Sequence, residues 1–357
     1  MIRFRRHVAV TAIIAVFFAS SAAVPAIAGT AHRTHVTPCM DAALEPGRNI
    51  IFCSTFQIAW NEMKDNIIKE DILLDKPLDL VHRLNRELST EEDISGDDYL
   101  AIAGFGADNI ADRINEILKS RFGSEAPVVD SKYNDDDVIL AYAFLRKTIE
   151  FENAFEDFEN PLAFHSGDNP SKVGAFGIFN YSDDRHGSLR NQVEIIEYSH
   201  RNDFIIRLKS KHPEDEIILA MTDPGETLLE TYEKVNWRIA RSERNSATDK
   251  LRSNDFLQIP KIDLSIDHEY SSLLGLNLLN EGYEEYFVAE ARQDLRFTLD
   301  ESGATARSEA IFAIKKGGES FRIMLFDKPF MIYLKKKGAS YPYLALWVGN
   351  ADILVEN

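Results

Sequence analysis

The sequence predicts an α+β fold built on long-range antiparallel pairing, and three observations carry that prediction. Helix-period patterns come first, strands mixed with isolated helices follow, and apolar strand patterns run to the end. Strands and helices do not alternate regularly, which argues against βαβ units. Near the C-terminus the strand-like Leu295-Arg-Phe-Thr-Leu299 gives way to a long stretch of small residues, before Phe326-Asp-Lys-Pro-Phe330 and two more apolar strands. A compact domain seldom keeps so long a connection without a functional reason.

The first residues read as a targeting segment. Arg3, Arg5 and Arg6 precede the apolar run 8–18, and Ala26-Ile27-Ala28 offers a small-residue cleavage site. Residues 1–28 are therefore expected to be a secretory signal peptide, with 29–357 as a single domain. The apolar run is short for a bilayer span. Export places the protein in the extracellular space, or in the periplasm of a Gram-negative cell, with no membrane attachment after cleavage. Losing those three arginines moves the formal charge from −18 to −21. Such an acidic excess repels nucleic acid and anionic lipid. Cys39 and Cys53 are the only cysteines. In an oxidising compartment a disulfide between them would be worth roughly 3 kcal/mol. The alternative stays open that Cys53, inside the apolar Ile50-Ile-Phe-Cys53 run, is a buried thiol.

The elements follow in order. Pro46-Gly47 turns into a short buried strand, and Ser54 or Thr55 caps a helix carrying Ile58, Met63 and Ile67. Residues 69–95 are charged and weakly patterned, as short helices and loops are. A clearer helix starts at Asp108, with Ile110, Ile114, Ile117 and Leu118 on one face, and stops at Gly123. The continuous apolar run 138–145 is a central strand buried on both faces. Phe151, Phe155 and Phe158 follow, and residues 161–184, rich in Gly, Pro and Asp, read as loop. Runs 203–208 and 216–221 are neighbouring strands, and residues 222–227 cap a helix through Val235. Run 256–262 is a strand that turns into Leu264 and Ile266, and 270–279 reads as an apolar helix.

No enzymatic motif stands out. His-Glu-x-x-His, Gly-x-Ser-x-Gly and a phosphate loop are all missing from the sequence. Gly104-Phe-Gly106 lacks the third glycine of a dinucleotide fingerprint, and His165, His186, His200 and His212 lack ligand spacing. Neither a cofactor nor a metal is expected. Asn180-Tyr-Ser182 fits a glycosylation acceptor, a signal common by chance.

Order and spacing of several segments together resemble the serpin family. Asn49-Ile-Ile-Phe-Cys-Ser54 is similar to its early strand leading into a central helix. The helix near 114–122 with run 138–144 is similar to the helix lying across the main sheet and the strand beneath it. Leu257-Gln-Ile-Pro-Lys-Ile262, with Tyr270-Ser-Ser-Leu-Leu-Gly275, resembles a fairly specific signature, and Asp300-Glu-Ser-Gly303 resembles the acidic-then-glycine hinge of a reactive-centre loop. Phe326-Asp-Lys-Pro-Phe330, Tyr341-Pro-Tyr-Leu344 and Asn350 are similar to closing barrel strands.

The resemblance implies a large mixed sheet, smaller sheets or a barrel, packed helices and an exposed loop over about 303–325. It departs from the family in places. Residues 64–108 are short for the family's helices, Cys53 stands where serine is typical, and Tyr142 where asparagine often lies beneath the sheet opening. The tryptophan usual after the central strand is missing, with Phe151 as substitute.

The family's mechanism needs a loop that becomes a strand after cleavage, so alternate hinge residues must fit a closed core. Counted from Gly303, one parity gives Ala304, Ala306, Ser308 and Ala310, all small, and the other gives Thr305, Arg307 and Glu309. With Glu301 these small residues form the expected hinge. The scissile region falls on Lys315, Lys316, Gly317 and Gly318. Cleavage after either lysine suits the acidic pocket of a trypsin-like serine protease, the expected partner. The chain is expected to be a monomeric inhibitor with no catalytic group of its own. The rival is a non-inhibitory serpin-like binding or carrier protein, for which Arg307 and Glu309 are the best signs.

Overall fold

The computed structural model describes residues 33–124, 126–179, 186–242, 250–252, 254–301, 307–308 (backbone only) and 321–357. The expected signal-peptide region, Asn180-Tyr-Ser182 and most of the predicted loop lie outside them. Arg33–Asn357 forms one compact unit.

β1 (Thr34–Thr37) runs parallel to β2 (Asn49–Cys53), every residue of which is buried. α1 (Thr55–Glu62) follows directly and widens into a π-type turn over Met63–Ile68, which Lys69 ends in a left-handed conformation (φ 67°). After α2 (Asp79–Leu84) comes β3 (Tyr99–Phe105), and then α3 (Ile110–Phe122). In α3 the recurrence of Ile110, Ile114, Leu118 and Phe122 builds one buried face. Gly106 answers a steric demand, because a Cβ there would collide with the backbone carbonyls of Asp135 and Tyr133.

β4 (Ile139–Thr148) is the expected central strand. The stretch read as loop after it departs from expectation, since β5 (Glu156–Phe164) and β6 (Ser171–Ile178) form an antiparallel pair there. Pro161 is tolerated because it falls where the pairing register shifts between Phe158 and Leu162. α4 (His186–Asn191) leads to β7 (Val193–His200), β8 (Asp203–Leu208) and β9 (Asp215–Met221). α5 (Leu228–Arg241) outruns its expected end at Val235, and its cap is Thr227, whose hydroxyl accepts the Glu230 N–H at 3.1 Å.

β10 (Phe256–Pro260) and β11 (Ile262–Glu269) match expectation, but the apolar segment after them is not a helix. Gly275 takes a φ of 73°, and the Gly275 and Leu276 backbones exchange hydrogen bonds with Val288. Residues 270–278 are therefore an irregular arm held against 286–291, where tertiary partners outbid local helix propensity. β12 (Arg292–Leu299), β13 (Arg307–Ser308), β14 (Ile323–Leu325), β15 (Phe330–Lys336) and β16 (Leu344–Val348) complete the chain. β14 places the end of the predicted loop inside a strand.

Three sheets result. The seven-stranded sheet has the order β1-β2-β16-β15-β9-β8-β7, the five-stranded β13-β5-β6-β10-β14, and the four-stranded β11-β12-β4-β3. Their inner faces meet in one large apolar core that includes Ile217, Leu257, Leu295 and Phe330. Each fully buried side chain of this size contributes about 1.5–3 kcal/mol. α5 covers the outer face of the seven-stranded sheet through Leu228, Tyr232 and Val235. α3 covers the four-stranded one, over Leu100, Tyr142 and Phe144. This mixed architecture, with several sheets and few helices, is of the α+β class expected from the sequence.

Candidate functional site

The site is built around an anomaly in the four-stranded sheet. β11 and β12 pair antiparallel, as do β3 and β4, but β12 and β4 run parallel from Gln293↔Ala143 to Thr298↔Thr148. Parallel pairing is slightly weaker per residue than antiparallel. Because the two strands point the same way, Leu299 and Thr148 lie at the same end of this seam, and the predicted loop departs from it.

Pairing across the seam stops at its lower end while β3 and β4 remain paired down to Phe105↔Ile139. There Ile139 and Ala141, with Phe287, Ala289, Ala291 and Trp60 of α1, line a cavity of about 60 Å³. The foot of the seam thus lies beside this cavity.

The two faces of the seam differ in chemistry. Inward, Leu295, Phe297 and Leu299 enter the core, and Gln293 is fully buried. The Gln293 amide donates to Thr55 Oγ1 at 2.8 Å, and its oxygen accepts the Tyr270 hydroxyl at 2.6 Å. Outward, the Tyr142 hydroxyl donates to Asp294 Oδ2 at 3.1 Å, and Arg292 Nε donates to Asp294 Oδ1 at 2.9 Å. Burial pushes the Asp294 carboxyl above the usual carboxylate range, against the pull of Arg292. It also raises the Tyr142 phenol, and the Asp294 charge adds to that.

At the upper end, an ion-pair cluster holds the loop base. Lys261 Nζ lies 2.6 Å from Glu301 Oε2 and 2.9 Å from Asp157 Oδ1. Burial lowers the Lys261 pKa, but Glu301 and Asp157 more than compensate and the net shift is upward. The Glu301 carbonyl accepts the Phe155 N–H at 3.2 Å, and the backbone of Arg307 and Ser308 pairs parallel with Asp157 and Phe158. The loop base is therefore seated on the edge of the five-stranded sheet.

Of the predicted hinge residues, Glu301 is in this cluster and the backbone of Ser308 is in β13. Gly303, Ala304, Ala306, Ala310, Lys315, Lys316, Gly317 and Gly318 lie outside the described residues. The disulfide between Cys39 and Cys53 does not form, and both are free thiols. Cys53 faces the central core, its sulfur 3.4 Å from Thr55 Oγ1. The chain after Cys39 instead turns out toward α5, where the Met40 carbonyl accepts the Leu229 N–H at 2.7 Å. Burial pushes each thiol up to about 11, so neither is a ready nucleophile. Phe151 is fully buried in edge-to-face contact with Phe155, with ring centroids 4.7 Å apart. Among the described residues, no group of three His, Cys, Asp or Glu side chains is placed to hold a metal ion.

Sequence reasoning missed the partners more than the elements. Lys261 was visible only as part of a motif, and Tyr142 only as a departure from one. Asp157, Asp294, and the buried Lys147 with its partners Asp98 (2.5 Å) and Asp215 (2.6 Å), gave no local signal.

No protein-family model matches this sequence, and no curated protein does. Solved structures similar to the chain include a crystal structure of maspin, 14% identical with a TM-score of 0.43, covering 68% of this chain and 65% of that one. A tumour-suppressing serpin is 13% identical with a TM-score of 0.41, covering 67% of this chain and 64% of that one. The chain thus spans just under two thirds of the length of the two structures it matches.

Proposed function

We propose that this chain is a secreted serpin-like inhibitor of a serine endopeptidase, acting as a suicide substrate whose cleaved loop inserts into its own sheet. The observation that carries the reading is the parallel seam between β12 and β4, with the loop leaving from the end of β12. A segment that turns back after Leu299 and enters the seam runs antiparallel to both neighbours. It replaces one parallel pairing with two antiparallel ones, each with a full ladder of backbone hydrogen bonds.

The parity of the hinge fits that move. A return strand after an even-numbered turn sets even-numbered loop residues beside odd-numbered residues of β12. On β12 the odd positions Leu295, Phe297 and Leu299 are the core-facing ones. Ala304, Ala306, Ser308 and Ala310 then face the core, where only small side chains fit. Thr305, Arg307 and Glu309 fall on the outward face, which already carries Arg292, Asp294 and Arg296. The nucleophile and oxyanion hole belong to the protease, with cleavage after Lys315 or Lys316.

One observation favours the second reading, a non-inhibitory binding or carrier protein. The Lys261 cluster and the pairing of β13 on β5 hold the loop base away from the seam. Incubation with a trypsin-like protease separates the two. An inhibitor gives a complex that survives denaturing electrophoresis and a cleaved form that melts well above the intact one. A nicked chain with neither property would refute inhibition.

A further inference from the structure

We propose that the cleft between the second half of α5 and the β7–β8 edge of the seven-stranded sheet is a binding site for a neutral saccharide. None of its described lining residues belongs to the seam or to the loop base, so the proposal does not rest on the insertion reading.

On α5, Lys234, Trp237, Arg238 and Arg241 recur at helical spacing. They form a stripe separate from the buried one of Leu228, Tyr232 and Val235. With β7, the turn after it and the residues just past β9, this stripe borders an open cleft of about 890 Å³. Small-molecule sites usually span about 300–1,000 Å³ and are mostly apolar. Here Ile196 and Trp237 alone are apolar among the described lining residues. A lining so rich in hydrogen-bonding groups suits a hydroxylated ligand, because an apolar one would leave those groups unpaired.

Trp237 supplies a platform. The chain's other two tryptophans are 4% and 5% exposed, whereas Trp237 is 60% exposed. Arg241 stacks on its ring, with the guanidinium 4.6 Å from the centroid, and helps to hold it in place. The electron-rich face of an indole attracts the weakly positive C–H groups of a sugar ring.

The floor is fixed before any ligand arrives. Arg238 Nη2 and Nε donate to the two oxygens of Glu197 at 2.7 and 3.0 Å. Its Nη1 donates to Asp203 Oδ1 at 2.8 Å and to Thr222 Oγ1 at 3.1 Å. The Arg238 side chain is 11% exposed, but those of Glu197 and Asp203 keep 33% and 31%. A carboxylate has about four lone-pair positions, so both can accept sugar hydroxyls as well. Their orientation is already set, which lowers the cost of binding. Charge then selects the class of sugar. Glu197, Asp203 and Asp223 balance Lys234, Arg238 and Arg241 one for one, on a chain of net charge −18. The lining therefore has no cationic excess to draw in a sulfated or phosphorylated ligand.

Fluorescence of the intact protein tests this, because Trp237 is the tryptophan that a dissolved quencher reaches. Neutral oligosaccharides of glucose, mannose, galactose and N-acetylglucosamine are titrated in, with a heparin-derived tetrasaccharide as the anionic comparison. At least one neutral sugar should blue-shift the emission and protect it from acrylamide, with millimolar or tighter affinity. By calorimetry, the surface change Trp237→Ala should weaken that affinity about tenfold or more, with an unaltered circular dichroism spectrum. Asp203→Asn should weaken it about tenfold. Raising the salt from about 0.05 to about 0.5 M should leave it unchanged. Silence from every neutral sugar, parent-like affinity in Trp237→Ala, or binding of the heparin fragment alone would overturn the proposal. So would shielding of Trp237 by an added protein with no response to sugar, which marks a protein contact instead. None of these measurements involves loop cleavage, so the inhibitor reading stands or falls on its own test.

Discussion

Replacing Lys147 with methionine should cost the fold about 3–5 kcal/mol, the range for removing one partner of a buried charge cluster. The Lys147 side chain is 2% exposed near the upper end of β4, with Nζ 2.6 Å from Asp215 Oδ2 and 2.5 Å from Asp98 Oδ2. Asp215 is itself 1% exposed and begins β9, so this lysine struts the seam sheet against the seven-stranded one. Without the ammonium, Asp215 keeps only the Tyr343 hydroxyl at 3.1 Å and an uncompensated buried charge. Unfolding entropy of about 2.1 cal/mol/K per residue gives roughly 0.7 kcal/mol/K for a unit of this size. A loss of about 4 kcal/mol then lowers Tm by about 6 °C. Calorimetry of Lys147→Met measures this directly. The triple variant Lys147→Met, Asp98→Asn, Asp215→Asn should regain most of the loss, because it removes the charges together. A Lys147→Met protein within about 1 kcal/mol of the parent would refute the argument, because so small a cost is that of a solvated surface pair.

Two further outcomes follow from other parts of the molecule. If the chain inhibits as proposed, Ala304→Arg or Ala306→Arg should convert it into a plain substrate, read as loss of the denaturation-resistant complex, because a charge cannot enter the core face of the seam unpaired. Inhibition equal to the parent would sink the parity argument. His268 packs edge-to-face on Tyr270 at 4.6 Å, and burial, with a smaller push from His35, lowers its pKa from 6.5 to about 4. The unfolded chain therefore takes up the proton first, and stability declines as pH falls from about 6.5 to about 4. Allowing for partial exposure, the change is about 2 kcal/mol, and across that window the urea midpoint of the parent should fall relative to that of His268→Gln, which lacks the titrating ring.

What the sequence showed depended on how local the determining interactions are. α3 was legible because its apolar residues recur at helical spacing, and β4 because a continuous apolar run fits a strand covered on both faces. β5 and β6 were hidden by glycine and proline, which usually mark loops. Here Pro161 sits at a pairing irregularity, and Gly177 lies so close to β10 that a Cβ would meet the Leu257 carbonyl. The 270–279 segment is apolar enough for a helix, yet its backbone partners come from residues 286–291, which no local pattern reveals. The hinge reading rests on alternation in the sequence, and Gly303, Ala304, Ala306 and Ala310 lie outside the described residues. The restraint on the loop base was not legible, because Lys261, Asp157 and Glu301 meet only after the chain folds. The proposed disulfide does not form either, since nearness in sequence does not bring two thiols together when Cys53 is fixed in β2 and Cys39 lies beyond the end of β1.

The same loop base has two places it can be paired, and they are unequal. On the five-stranded sheet it adds a short parallel strand to an open edge, where only Arg307 and Ser308 are in register. In the seam it would be flanked on both sides by antiparallel neighbours, with its small side chains in the core. If the loop inserts as proposed, backbone bonding favours the seam, and the edge position persists through specific contacts at each end of it. Lys261 binds Glu301 at the top, and Tyr142 binds Asp294 at the foot. Neither contact forms part of the inserted ladder, so both can be weakened without harming the final state. On the insertion reading, that separation would let the closed form be metastable while the fold around it stays rigid. A change at either contact should therefore alter how fast the chain converts far more than how stable the converted form becomes.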